Sequence, residues 1–196
     1  MVAAPSGRRP GRRPGPTETR DAILSAAREL FAEKGYDGAS ARAIARSAGV
    51  DPALIHHFFG SKEGLFVAAM EFPFDPARLV PLVAVGPREE IGERIVRVFL
   101  TVWGDPQLRT RALAILRSAA TSEQGATMLR EFASSALLGR VAEVAGVPRL
   151  QINAAAGQMI GVMIMRYVLA VEPMASASEE ELVELLAPTL QRYFSV

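Results

Sequence analysis

The chain of 196 residues contains no cysteine. That excludes a disulfide framework, a thiolate nucleophile, a cysteine-based zinc site and redox sensing through thiols, and it suits a reducing, cytoplasmic compartment. Histidine is nearly as scarce, with 2 residues in the whole chain, the adjacent His56 and His57. Neighbours on a helix project about 100° apart and no third ligand stands nearby, so the pair does not read as a metal site, and no metal or cofactor is expected. Ser/His/Asp arrangements, metal-ligand spacings and a glycine-rich phosphate loop behind a strand are all missing, which argues against an enzyme. The early arginines are not followed by an apolar run, so a secretory signal peptide is not expected. A strong net charge is missing too, since 22 basic and 21 acidic residues leave +1.

What the chain has in quantity is apolar surface. Hydrophobic residues make up 49% and the mean hydropathy is +0.18, enough to bury a sizeable core and an interface as well. The length suits a small head and a larger domain, or one continuous helical body. The charge is unevenly spread, because Arg8, Arg9, Arg12 and Arg13 lie in a Pro/Gly-rich lead that cannot be helical. Residues 1–16 are therefore expected to form a flexible basic arm. Acidic and basic side chains nearly cancel from Thr17 to Gly64, so phosphate or minor-groove contacts are expected to fall to the arm. The competing reading of the arm is a solvated tail.

Ala39 to Lys62 reads as two short helices joined at Ala48-Gly49-Val50, a helix-turn-helix that points to duplex DNA. A methyl-sized Ala45 lets the helices approach, Gly49 can adopt positive φ, and Ile55 plugs the angle between them. Helix two is expected to start at Ser40. The recognition helix is expected to start at Pro52, with Asp51 as its N-cap. Upstream, Ile23, Ala27, Leu30 and Phe31 form one stripe on a helix that ends at Gly35. Downstream, Ser61 caps a helix carrying Leu65, Ala68, Ala69 and Phe72, with Phe58 and Phe59 in the corner before it.

These residues resemble a known family. Ala-Arg-Glu-Leu-Phe-Ala-Glu-Lys-Gly-Tyr, then Arg-Ala-Ile-Ala-Arg-Ser-Ala-Gly-Val, then His-His-Phe-Phe-Gly-Ser-Lys-Glu-Gly-Leu look like the DNA-binding domain of TetR-type transcriptional regulators. The rest more loosely resembles the helical regulatory domain of such proteins, including the actinobacterial type with Glu-Pro-Met-Ala-Ser-Ala before the last helix. The resemblance implies an all-α fold of about nine helices, with a three-helix head containing the helix-turn-helix over 17–64 and a C-terminal ligand-binding and dimerisation domain over 65–196. It also implies DNA contacts: Ser40 and Arg42 match positions touching phosphate and a base edge. Pro52, Ala53, His56 and His57 match base-facing and backbone-facing positions of the recognition helix, and Lys62 matches a phosphate-binding lysine. Arg42 is the strongest specific reader, since its planar fork can hold guanine O6 and N7 together. Many relatives carry tyrosine where this chain has His56, whose protonation would add pH dependence. Leu54 replaces a small hydroxyl residue and is expected to pack rather than read bases.

Beyond Pro87, turn signals divide the chain into helices over 88–103, 107–120, 123–145 with a bend near Gly139, 149–171 and 179–194. Leu79 to Val85 is short and ambiguous. Ala154 to Val171 is apolar nearly all round, yet Gln158 and Arg166 interrupt it and its span is barely membrane length, so burial in protein is the better reading. Gly157 and Gly161 leave a groove on one face. With Ile164, and with Leu186 and Leu190 of the last helix, they match the pair of helices through which the family forms a twofold homodimer. A cavity for a small-molecule effector is expected among Phe99, Trp103, Leu116, Met128, Phe132, Met159, Met163 and Tyr167, with Arg166 or Gln158 as a polar anchor. The function implied is a DNA-binding regulator, a repressor released from a pseudopalindromic operator by a ligand, with the helix over 62–72 as lever. The alternative is a DNA-binding dimer with no small effector.

Overall fold

The computed structural model describes residues 16–195, and among these no strand occurs. The head is built from α1 (Pro16–Gly38), α2 (Ala41–Ala48), α3 (Ala53–Phe59) and α4 (Lys62–Ala69). Regular geometry in α1 breaks at Gly35, the residue expected to end the helix, whose φ of 74° with ψ of 179° is a conformation open to glycine. Ser40 caps α2 by accepting the Ala43 N–H at 3.1 Å, and Gly49 ends it at φ 68°. Asp51 accepts the Ala53 N–H at 2.8 Å as α3 begins. Ser61 does the same for Gly64 at the start of α4. These starts lie close to those expected because a cap is a local hydrogen bond, although α2 and α3 begin at Ala41 and Ala53, one residue after the expected Ser40 and Pro52.

Ile23, Ala27, Phe31, Ile44, Ala45, Ile55 and Leu65 fill the head core and are all fully buried. Leu65, Phe66 and Ala69 belong to the same core, so a division at 64/65 cuts through α4. That helix is also shorter than 62–72: it caps at Met70, and Glu71 at φ 52° turns the chain away before Phe72.

The body comprises α5 (Pro76–Ala84), α6 (Ile91–Gly104), α7 (Pro106–Thr121), α8 (Glu123–Phe132), α9 (Gly139–Ala145), α10 (Arg149–Met163) and α11 (Glu179–Gln191). The ambiguous 79–85 segment thus belongs to a helix, opened by Asp75 accepting the Ala77 N–H at 2.9 Å with Pro76 in the first turn. Its interior Pro81 had obscured the helical period. The irregularity expected near Gly139 lies one turn earlier, as a π-helical stretch over Ala133–Leu138 that joins α8 to α9. A second π stretch, Ile164–Val168, extends α10. The Ser178–Glu181 capping box starts α11.

The body core lies between α6, α9, α10 and α11, where Val96, Leu100, Leu190 and Phe194 are essentially inaccessible. Leu186 and Leu190, expected on the dimer face, are 7% and 0% exposed and pack in this core. The apolar period of α11 is spent on its own subunit, leaving Leu185, at 64% exposure, as the large apolar side chain on its outer side. Among the described residues no helix is long and apolar enough to cross a membrane, Ala154 to Val171 included.

Candidate nucleic-acid interface and effector cavity

The N-terminal turn of α3 is an exposed edge. Pro52, Ala53, His56 and His57 all face solvent, while Ile55 between them is fully buried and Leu54 is partly buried against the head core. Period 3.6 therefore splits this short helix into a readable face and an anchoring one. His56 Nδ1 lies 3.0 Å from the Gly60 carbonyl, so that nitrogen carries the proton and Nε2 points away as an acceptor in the neutral ring.

Ser40 and Arg42 lie at the exposed start of α2, the helix that contacts α3. The Ser40 Oγ is occupied by its cap, which aims the first turn of α2 outward. Arg42 has no hydrogen bond or ion pair among the described residues, so its fork is unspent. Arg46, one turn further on and also exposed, was not singled out from the sequence, although its i, i+4 spacing from Arg42 puts both on one face. Arg20 was missed as well; its guanidinium lies 5.4 Å from the Phe59 ring centroid, next to α3. Arg8, Arg9, Arg12 and Arg13 lie outside the described residues.

Lys62 is less free than a surface lysine. Its ammonium sits 4.5 Å from the Tyr36 ring centroid and donates to the Asp37 carbonyl at 3.3 Å. Burial holds its pKa below the ordinary lysine value, against the pull of Asp37, Glu63 and Glu131. Next to it, burial alone would raise the Glu63 carboxyl, but hydrogen bonds from Ser61 and its own backbone, together with Arg140 and Tyr36, bring it below the usual carboxylate range. Arg140 reaches Glu63 from α9 at 3.0 Å. Burial pushes the Tyr36 hydroxyl well above its ordinary range, with Glu63 adding to the shift.

Glu63 and Arg140 form one part of a head-to-body junction that sequence reasoning did not find. The Asp37 N–H donates to Glu131 Oε2 at 3.0 Å, and the Ser135 hydroxyl donates to the Asp37 carboxylate at 3.3 Å. Phe132 of α8 then enters the head core, stacked on Phe66 at 4.4 Å and edge-on to Phe72 at 4.8 Å and Tyr36 at 5.4 Å. These partners are far apart in sequence, so no local signal marks them. Because the folded Glu63 value lies below its ordinary 4.5, the stabilisation from this carboxylate is complete above that pH and is lost as pH falls through the depressed value. Glu63→Gln should therefore lower the melting temperature at neutral pH, with the gap to the parent chain closing in acid. Thermal melts across pH 3–7 test this; a gap constant across that range would assign the loss to packing instead.

Phe132 also borders a cavity of about 330 Å³ in the body. Phe99, Trp103, Leu116, Met159 and Met163 line it with Phe132. Met128 does not; it packs against the head core. Tyr167 is also outside, with the Arg109 and Arg166 guanidiniums 5.0 and 5.3 Å from its ring centroid. Neither expected polar anchor lines the cavity. Arg166 instead donates to the Met174 and Ala177 carbonyls at 2.6 and 2.8 Å, pinning the segment before α11. The Phe72-Pro73-Phe74 turn and α5 residues Leu79, Val80 and Val83 form the wall that was missed. The aromatic pair around Pro73 was the available sign.

The outer face of α10 is apolar and open. Ile160, Ile164 and Val168 are exposed along it, and a Cβ added at Gly157 or Gly161 would meet nothing within 4 Å.

Comparison with known proteins agrees with both halves. Residues 23–69 match the family described as bacterial regulatory proteins, tetR family, and residues 89–194 match the tetracyclin repressor-like C-terminal domain. The HTH-type transcriptional regulator BetI of Rhizobium meliloti (strain 1021) is 30% identical over 173 residues, 84% of this chain and 85% of that one. The HTH-type transcriptional repressor AcnR of Corynebacterium glutamicum is 42% identical over 69 residues, 35% of this chain and 36% of that one, so the likeness spans little more than a third of that relative. A TetR-family regulator from Streptomyces coelicolor A3, solved by crystallography, is 37% identical with a TM-score of 0.51, covering 95% of this chain and all of its own. With its helix-turn-helix head and its helical body both matched, the chain belongs to the TetR family of bacterial transcriptional regulators.

Proposed function

We propose that the chain works as a twofold homodimer that represses transcription from a pseudopalindromic operator and is released by a small molecule bound in the body. The observation that carries the DNA half is the solvent-facing set of Pro52, Ala53, His56 and His57, together with an exposed Arg42 that has no partner among the described residues. In this reading Arg42 holds a guanine edge. Ser40, Arg46, Arg20 and the basic arm engage phosphate or the minor groove, and Lys62 does so with whichever donors the Asp37 carbonyl leaves free. Two heads about 34 Å apart would enter successive major grooves. The open face of α10, with Gly157, Gly161 and Ile164, joined by Leu185 of α11, supplies a self-complementary surface for the second copy.

Coupling would run through Phe132, which borders the cavity on one side and packs in the head core on the other. A ligand that shifts α8 changes the seat of α1 and α4, and a coupling of about 1–3 kcal/mol is enough to release the operator. The lever is thus α8 as much as α4. The alternative, a dimer without a small effector, is disfavoured by an open cavity of about 330 Å³ where a solid core would otherwise stand.

The first test is binding to the DNA upstream of the chain's own gene across a salt series. Arg42→Ala should weaken operator binding by about 1–3 kcal/mol and relax selectivity at one base pair. Removal of residues 1–16 should instead flatten the salt dependence without changing selectivity. Equal weakening on operator and random DNA for Arg42→Ala would reduce that residue to a phosphate contact.

A further inference from the structure

We infer that the body cavity selects an uncharged lipophilic effector and rejects carboxylates and ammonium ions of the same size; this rests on the effector reading proposed above. The inference comes from the composition of the wall. Every side chain that lines the cavity among the described residues is a hydrocarbon or a thioether, except for the indole of Trp103. A charged group entering such a wall gives up its hydration and meets no counter-charge, and only one side-chain donor is present to replace the water it loses.

The nearby cations do not alter this. Arg109, whose side chain starts from α7, donates to the Trp103 and Gly104 carbonyls at 2.8 and 3.4 Å. The Arg166 Nη1 donates to the Met174 and Ala177 carbonyls, and both guanidiniums lie over the Tyr167 ring outside the cavity. Arg94 donates its Nε to the Val83 carbonyl at 3.0 Å. The Arg94 Nη atoms and the Arg166 Nε are buried without a hydrogen-bond partner, yet none of these three arginines, nor Gln158, is part of the wall. Methionine at 159 and 163 adds a polarisable, adaptable surface that suits rings and chains alike. The cavity thus discriminates by charge and gives little discrimination by shape.

The chain carries a reporter for the test, because Trp103 is its single tryptophan and lines the cavity. The full-length protein is loaded with the neutral dye N-phenyl-1-naphthylamine, followed by dye emission and by Trp103 quenching. The dye is then displaced with methyl decanoate, sodium decanoate or decylammonium at neutral pH. The ester should displace it about 100-fold more effectively than either ion, the factor expected when a buried charge has no partner. Decanoate or decylammonium competing within about threefold of the ester would overturn the inference.

Two variants place the binding in this cavity. Ala155→Phe projects a ring into the space and should abolish dye binding. Leu116→Arg, on a half-buried wall position, should invert the order of the competitors so that decanoate wins over the ester; it decides the matter even where Ala155→Phe fails to fold. An unchanged order in a folded Leu116→Arg protein would show that the dye binds elsewhere and overturn the inference. Operator release is read in the same titrations. Ester binding without release would leave the charge selection standing and remove the effector role from the proposed function.

Discussion

Replacing Phe132 with alanine is expected to cost about 3–5 kcal/mol of stability, the range for deleting a fully packed phenylalanine. Its ring is 1% exposed, stacked on Phe66 at 4.4 Å and met edge-on by Phe72 and Tyr36, so the cavity left behind is walled by rigid aromatics that cannot collapse into it. Aromatic pairs add about 0.5–1.5 kcal/mol each beyond the area they bury, and several are lost together. For a chain of this size the melting temperature should fall by roughly 6–20 °C. Phe99→Ala is the comparison, since Phe99 lines the same cavity but does not enter the head core. It should cost clearly less, because one side of its ring already faces open space. Phe132→Ala should also separate ligand binding from operator release, a second effect that Phe99→Ala should not show. If the two variants melt together, the aromatic cluster is not what holds the head on the body.

Ile164→Glu should convert the proposed dimer to monomers and reduce operator affinity by about 10²–10⁴, the factor that bivalent engagement contributes. Ile164 is 40% exposed in the single subunit, so a glutamate there is tolerated by the fold. On a twofold interface, however, the substitution occurs twice, and two carboxylates would be buried among apolar side chains. Sedimentation measures the first effect and gel-shift titration the second. Leu82→Glu serves as the control, since Leu82 is 55% exposed on α5, away from α10, and should leave both association and DNA binding intact. A dimer that survives Ile164→Glu would move the interface off this face of α10. By contrast, Leu186→Glu or Leu190→Glu would be uninformative about dimerisation, because those residues hold the subunit's own core together.

The helix-turn-helix was legible in the chain down to individual caps. Ser40, Gly49, Asp51 and Ser61 each act on the backbone within a few residues of themselves, and Ala45 and Ile55 sit where a tight interhelical angle demands a small and a large side chain. The same holds for the turns after α6 and α9. The short α5 escaped notice because Pro81 breaks its period, although Asp75-Pro76 marked its start.

The all-α class, the head's register and the exposed reading edge of α3 follow from such short-range chemistry, since caps, turns and helical periodicity involve neighbours along the chain. Which apolar face turns inward is a different kind of question. Leu186 and Leu190 share a helix with Leu185, and nothing within that helix says that two of them meet α6 while the third meets solvent. Met128 and Tyr167 resemble Met159 and Trp103 in composition, yet only the latter pair borders the cavity. The head-to-body junction joins Asp37 to Glu131 and Ser135, residues 94 and 98 apart in sequence, and Glu63 to Arg140. Burial, cavity walls and such junctions depend on contacts between distant segments, and only the packed chain brings those segments together.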